Sequence, residues 1–298
     1  MATANQSMAP AAVENQTNKT SRAPRIKRNR IVPAVLYHTI LLSVSVLMVF
    51  PLVWMLSTSL KAPNQQYAWP PQIVPDPFYP QNYVQLFEIA PMGIYLLNSA
   101  KITILSMLGV TFTSSLAAFA FARMRFRGRN ALFAVLLVTM MLPGAVTLIP
   151  TFVLFRLLGW VDTHLPLIVP SLFGSAFFIF LIRQSFRNIP QDFVDAAQID
   201  GATWFQIYWR IFIPLNRPIL LTVALLAFLW SWNDLFSPLI YLNTQNKMTV
   251  QLGLAFLRGR AGTGVEKYGI IMAGAFLGLL PSLLLYFTGQ KYFIEGLS

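Results

Sequence analysis

One carboxylate, Asp234, stands in an apolar stretch that is otherwise uncharged from Pro218 to about Leu242. On a continuous helix, Trp230, Asn233, Asp234 and Ser237 fall three or four apart and share a face. A ring to stack on, with an amide, a carboxylate and a hydroxyl beside it, is the chemistry that sugars require. Charges inside an apolar span usually face a pathway or a partner. The alternative is structural: a cap near a membrane surface, with Trp232 in the interfacial aromatic belt. A second candidate is Pro143-Gly144, with Thr139 before it and Thr147 and Pro150 after it. This pair predicts a break in an apolar helix, which either opens a site and acts as a hinge or is a tolerated kink. Gly274-x3-Gly278 permits close helix packing.

A third region, Ile189 to Pro218, mixes acids, bases, small residues and aromatics. Pro190 followed by Asp192 suits a helix start, with acids near the positive end of the helix dipole. Ala196, Ala197, Gly201 and Ala202 are small, and Ala197 and Gly201 are four apart, so they share a face. Such a face lets another protein approach closely. Asp200-Gly201 signals a break. Beyond it Phe205, Tyr208, Trp209 and Phe212 recur at helical spacing, predicting a second short amphipathic helix. Pro214 and Pro218 end it. The reading is helix, tight turn, helix.

Little else in the chain could do chemistry. Zero cysteines exclude disulfides, thiolate metal sites and cysteine nucleophiles. His38 and His164 are the two histidines, without metal-ligand spacing. No phosphate-binding G-x4-G-K-[ST] loop and no Ser/His/Asp series in a recognisable order is found. The pattern gives no reason to expect catalysis or a bound cofactor or metal in this chain.

The elements that must hold these residues are membrane helices. The chain has 298 residues, of which 56% are apolar and 11% charged, against about 25% charged in an ordinary soluble domain. The mean hydropathy is +0.58. This excludes an ordinary soluble enzyme, a disordered chain and a coiled coil. A span needs about 20 mostly apolar residues. The uncharged stretches predict an all-α polytopic membrane protein with six transmembrane helices, at about 34–59, 99–122, 131–157, 165–185, 218–242 and 268–289. The net charge of +12 is read as basic residues in cytoplasmic loops, not as a nucleic-acid surface. Lys19 to Arg30, Arg123 to Arg129, Arg183 to Arg217 and Lys291 fall on one side of these spans. They outnumber Lys61, Lys101, Arg156, Lys247, Arg258, Arg260 and Lys267 on the other, which places both termini in the cytoplasm. Residues 1–30 read as a disordered basic cytoplasmic tail. The first apolar stretch is too long for a signal-peptide core and reads as a retained helix. Lys61 to about Tyr95, rich in Pro and aromatics, reads as an ordered outer cap, and about 187–217 as a cytoplasmic loop.

That loop carries a resemblance. Asp195-Ala196-Ala197, three residues, Gly201, nine residues, then Ile211-Phe212-Ile213-Pro214 resembles the "EAA" loop E-A-A-x3-G-x9-I-x-L-P of ABC-importer membrane subunits. Asp195 stands for Glu, and Ile213 for Leu. Asp200-Gly201-Ala202 is typical of carbohydrate-uptake members. Pro51…Trp54-Met55…Ser59-Leu60-Lys61, Asn98-Ser99, Phe121-Ala122-Arg123, Trp232-Asn233-Asp234 and Gln290-Lys291-Tyr292-Phe293 are similar to the MalG-like group. The resemblance runs from about Ile31 onward. It implies the transmembrane permease subunit of an ATP-driven, binding-protein-dependent sugar importer, in a prokaryotic plasma membrane. It further implies a second, MalF-like permease subunit, two ABC ATPase subunits that carry the ATP and Mg, an extracytoplasmic solute-binding protein and surrounding membrane lipid. Asp195, Ala196, Ala197, Asp200, Gly201, Ala202, Ile211 and Pro214 would couple to the ATPases. A non-sugar solute such as a polyol or glycerol phosphate is the alternative within the group. Outside it, the alternative is an ion-coupled transporter using Asp234.

Overall fold

The computed structural model describes residues 31–260 and 267–297, and the expected basic tail at 1–30 lies outside them. The described residues are helical, without a strand. In order they form α1 (Ile31–Ser59), α2 (Gln81–Ile89), α3 (Met92–Arg123), α4 (Arg129–Thr139), α5 (Gly144–Leu157), α6 (Leu165–Ile168) and a 3-10 turn (Val169–Phe173). Then come α7 (Ala176–Arg187), α8 (Asp192–Ile199), α9 (Trp204–Ile207), a π-helical turn (Tyr208–Phe212), α10 (Ile213–Leu215), α11 (Arg217–Trp232), α12 (Phe236–Tyr241), α13 (Val250–Arg260) and α14 (Tyr268–Leu297).

The chain divides at Phe50/Pro51. The first unit contributes the apolar helix up to Phe50, uncharged apart from His38. The rest of α1 and everything after it make the second unit.

Four helices are long and apolar enough to cross a membrane: Val35–Ser59, Met92–Arg123, Leu165–Arg187 and Tyr268–Gln290. Two further pairs qualify if each bent pair is one span. They are Arg129–Thr139 with Gly144–Leu157, bent by 97°, and Trp204–Leu215 with Arg217–Trp232, bent by 81°. The first bend lies at the Pro143-Gly144 pair. The fifth span corrects the expectation: α11 stops at Trp232 instead of running to Leu242, and α12 resumes after a break. Its 16 residues cover about 24 Å at 1.5 Å per residue. The second span is longer than expected and begins at Met92, inside the proposed cap.

α3 organises the second unit. Its buried stripe Ser99, Thr103, Ser106, Val110, Ser114 and Ala118 recurs at spacings of three and four, which holds one face toward α7 and α11. Small residues on that face let neighbouring backbones approach, and their hydroxyls serve as acceptors or donors. Ser106 Oγ donates to the Leu167 carbonyl (3.0 Å), while Ser99 Oγ accepts from the Val250 N–H (2.8 Å) and Ser114 Oγ from the Ser175 N–H (3.0 Å). Two cores form along it. One gathers Phe119, Phe178, Phe186, Val194, Tyr208, Phe212 and Val223 near the C-terminal end of α3. The other gathers Leu86, Met92, Tyr95, Leu252 and Ala273 near its N-terminal end. Gly274 and Gly278 seat α14 against α13: a Cβ on Gly274 would stand 2.5 Å from Leu254 Cδ2, and one on Gly278 3.0 Å from Val250 Cγ1.

Candidate functional site

At the C-terminal end of α3, a helical hairpin is built by local rules. Gln191 stands at the N-cap position of α8, its amide donating to Asp195 Oδ1 (3.0 Å), and Asp192 and Asp195 occupy the first turn, where the dipole favours acids. At its far end the Gly201 N–H reaches the Gln198 carbonyl (3.0 Å) and the Ala202 N–H the Ala197 carbonyl (2.9 Å). This is a Schellman stop, and it needs the left-handed backbone that Gly201 adopts at φ +77°. Thr203 then starts α9 with a capping box: Thr203 Oγ1 accepts from the Gln206 N–H (3.3 Å), and Gln206 Oε1 accepts from the Thr203 N–H (2.8 Å). Thr203-x-x-Gln206 was legible in the sequence as that signature, but periodicity alone does not pick it out.

The hairpin is anchored through its apolar side. Val194, Ile207, Tyr208 and Phe212 are fully buried, and Phe212 meets Phe119 at 4.8 Å and Phe186 at 5.3 Å between ring centroids. Tyr208 Oη and Ser115 Oγ are 2.6 Å apart. The small residues divide, which corrects the expectation of one open face. Ala197, Ala202 and Ile211 turn toward the chain's own core. Asp195, Ala196, Asp200 and Gly201 are exposed. Nothing lies within 4 Å of a Cβ placed on Gly201, and Ile199 beside them is 87% exposed. Pro214 sits in α10, just before the 81° bend.

Arg123, read from the sequence as one of the basic residues on the cytoplasmic side, ties the hairpin down. Its guanidinium donates to Gln191 Oε1 (2.9 Å), to the Phe186 carbonyl (2.7 Å) and to the Ile189 carbonyl, and it lies 5.2 Å from the Phe212 ring. Asn216 does the same on the other side. It accepts from Ser185 Oγ (2.7 Å) and donates to the Phe212 carbonyl (2.9 Å).

At the other end of α3 lies a cavity of about 390 Å³. Its walls come from α3, α5, the Leu165–Phe173 segment, α11 and α12. Of the residues singled out in the sequence, Asp234 and Ser237 line it. Asp234 Oδ1 accepts from the Ser237 N–H (3.1 Å). The break after Trp232 separates the other two. Trp230 stacks on Phe178 at 5.0 Å, and Asn233 is exposed and donates to the Leu229 carbonyl (2.8 Å). Neither lines the cavity. Trp232 is not an interfacial belt residue: it is buried, and its Nε1 donates to the Gly278 carbonyl (2.8 Å). Thr139, Pro143 and Gly144 sit at the 97° bend and do not line the cavity, although the same broken span delivers Thr151 and Phe155 to it.

A clamp that the sequence reading missed closes the loops beside this cavity. Asp162, at φ +59°, accepts from the N–H groups of Asn243 and Thr244 (both 2.9 Å), from Thr244 Oγ1 (2.6 Å) and from Lys247 Nζ (2.9 Å). Burial alone would raise its carboxyl. The bonds from Thr244, Lys247 and Asn243 outweigh that and hold it well below the usual carboxylate range. Among the described residues no cluster of His, Asp and Glu could hold a metal.

Residues 109–297 match the family described as "Binding-protein-dependent transport system inner membrane component". The chain is similar to the lactose transport system permease protein LacG of Rhizobium radiobacter, 30% identical over 268 residues, covering 90% of this chain and 96% of that one. It is similar to the arabinooligosaccharides transport system permease protein AraQ of Bacillus subtilis, 31% identical over 257 residues, covering 85% and 90%. Its fold is similar to a chain in the crystal structure of a bacterial ABC transporter involved in the import of the acidic polysaccharide alginate. That match has a TM-score of 0.80 and 23% identity, and covers 91% of this chain and all of the other. An all-helical chain with bent membrane spans and a capped helical hairpin, matched by this family over most of its length, belongs to the inner-membrane components of binding-protein-dependent transport systems.

Proposed function

We propose that this chain is the permease subunit of an ATP-driven sugar importer and that the Asp192–Phe212 hairpin docks on an ATPase subunit. The carrying observation is the division of the hairpin's two sides. Its buried aromatics fasten it to the ends of α3, α7 and α11. Its other side offers exposed Asp195, Ala196, Asp200 and Gly201 with open space around the glycine. Ala197, Ala202, Ile211 and Pro214 support that surface from within. The hairpin side faces the cytoplasm, with both termini. A MalF-like second permease completes the pathway, two ATPases carry ATP and Mg, and an extracytoplasmic protein delivers solute. The similarity to permeases named for lactose and arabinooligosaccharides supports a sugar as cargo. Closure of the ATPases would move the hairpin as a rigid element and tilt the spans fastened to it. ATP chemistry resides in those subunits. The residues here bind, position and transmit.

The test is purification of the chain with its neighbours in mild detergent. Recovery of a similar-sized hydrophobic partner and two ATPase copies, with ATP hydrolysis stimulated by a solute-binding protein, is the expected result. Recovery of the chain alone, with uptake driven by an ion gradient and lost in Asp234→Asn, would overturn it.

A further inference from the structure

We infer that the cavity at the N-terminal end of α3 is a solute subsite selective for neutral polyhydroxylated solutes, from which Asp234 excludes anions. The inference rests on the importer reading and deepens it, because it decides between the neutral and the phosphorylated cargoes.

The volume of about 390 Å³ falls within the range of about 300–1,000 Å³ typical of small-molecule sites. The walls differ from those of a hydrophobic pocket. Thr103, Thr151, Ser231, Ser237 and Tyr241 present hydroxyls, and Asp234 a carboxylate, from four different segments. Some of these groups are spent inside the protein: Ser231 Oγ donates to Thr103 Oγ1 (3.3 Å), and Thr151 Oγ1 to the Thr147 carbonyl (2.6 Å). The Ser237 and Tyr241 hydroxyls and the second Asp234 oxygen have no hydrogen-bond partner among the described residues. A carboxylate that only accepts, beside hydroxyls that donate and accept, complements a sugar or polyol, whose every hydroxyl does both. Tyr241 adds a ring, held by Phe155 at 5.3 Å.

Charge makes the selection. Among the described residues no Lys, Arg or His lines the cavity, and Asp234 is the one charged group that does. A phosphate or uronate entering it would lose hydration opposite a fixed negative charge, with no cation to pair with. A neutral solute meets no such barrier and gains a charge-assisted hydrogen bond.

The native absence of cysteine makes the test direct. Ser237→Cys, and separately Thr151→Cys in case the first fails to assemble, places the one thiol of this chain in the wall, and labelling in the copurified permease–ATPase complex is read on this chain after the subunits are separated. Labelling rates with trimethylammonium-ethyl and sulfonatoethyl methanethiosulfonate are measured with and without ATP and normalised to a free thiol. The cationic reagent is expected to win by about tenfold or more, as a unit charge within several ångströms in a partly dry site implies. Adding Asp234→Asn should bring the two rates within about threefold. Maltotriose and raffinose at about 0.1 M are expected to slow labelling severalfold, and trigalacturonate only in the Asp234→Asn background. Equal rates, no labelling in either nucleotide state, protection by trigalacturonate equal to that by the neutral sugars, or no protection by any sugar overturns the subsite. A complex that assembles and hydrolyses ATP but labels without charge selectivity refutes the subsite and leaves the importer reading standing. A chain that labels as expected but recovers no ATPase does the reverse.

Discussion

Removal of the Arg123 guanidinium should loosen the hairpin without touching its exposed side. Arg123 makes three hydrogen bonds, to Gln191 Oε1, the Phe186 carbonyl and the Ile189 carbonyl, and packs over Phe212. Bonds from a charged donor contribute about 1.5–3 kcal/mol each when buried. The Gln191 bond is exposed and the carbonyl bonds are part-buried, so water replaces some of what is lost. The total for Arg123→Ala is then about 2–4 kcal/mol of hairpin docking. Arg123→Lys retains the charge but not the fork that spans three acceptors, and should cost about half. At about 1.4 kcal/mol per tenfold, the alanine variant raises the population of undocked hairpin by about 30- to 1,000-fold.

Amide hydrogen exchange reads this population directly, since local opening sets the exchange rate. In detergent-solubilised protein, the amides of α8 and of Trp204–Phe212 should exchange faster by that factor in Arg123→Ala. Those of α13, beside the other core, should be unchanged. Acceleration below about threefold in the hairpin, or equal acceleration in α13, would refute the assignment of Arg123 as its tether.

Three further outcomes are expected. Gly201→Asn and Gly201→Asp should fold and insert at a cost of about 1 kcal/mol, because both residues tolerate the left-handed backbone and the space is open; the bulky charge of Gly201→Asp should nevertheless abolish uptake, and normal uptake would remove the docking assignment. Gly253→Ala would drive a Cβ to 2.3 Å from the Tyr95 ring and should destabilise by about 1–3 kcal/mol, seen as a lower melting temperature of the purified complex. Asp162, whose carboxyl is depressed when folded, stabilises its loops fully above the unfolded carboxylate value of about 4 and loses that contribution only as the pH falls through its lower folded value. Exchange over Asn243–Met248 should therefore show no pH dependence from this group between pH 5 and 8, where its stabilisation is fully present, and faster opening in acid, while Asp162→Asn should cost about 1–2 kcal/mol at neutral pH and abolish that acid dependence.

What was legible in the sequence was local. Asp200-Gly201 foretold a stop because a left-handed turn admits few residues, and Pro143-Gly144 foretold a bend because proline removes a donor. The break after Trp232 has two causes. Pro238, four residues after Asp234, has no N–H for the Asp234 carbonyl that a continuous helix would pair, and Asn233 and Asp234 bond to nearby backbone, at Leu229 and Ser237, in competition with the helix. An Asn-Asp pair in an apolar run is the signal, but helical spacing concealed it by placing Trp230 and Asp234 on one face. The partners of Arg123 and Asp162 lie more than 60 residues away in the chain, and only the fold brings them together. Ala197 and Ala202 were read as small enough to admit a partner; smallness equally suits packing against the chain's own helices, and these two side chains do that.

The two sites are joined by rods. α11 begins at buried Asn216, bonded to Ser185 and to the Phe212 carbonyl beside the hairpin. It ends at the break where Asp234 enters the cavity wall. α3 runs parallel in function, from Arg123 at the hairpin to Ser99 and Thr103 in the same wall. A straight helix does not absorb a tilt along its length. Over the roughly 24 Å of α11 a rotation of about 5° moves the far end by about 2 Å, comparable to the difference between a made and a broken hydrogen bond. The helical irregularities lie where such a movement is taken up: at the 81° bend before α11, at the break after it, and at the 3-10 turn of Val169–Phe173 that closes the cavity. Irregular backbone at membrane depth is tolerated where it is buried in protein or lines a cavity. Here it also bounds α11 at both ends, so that the helix between the two breaks carries a displacement of the hairpin to the carboxylate that selects the solute.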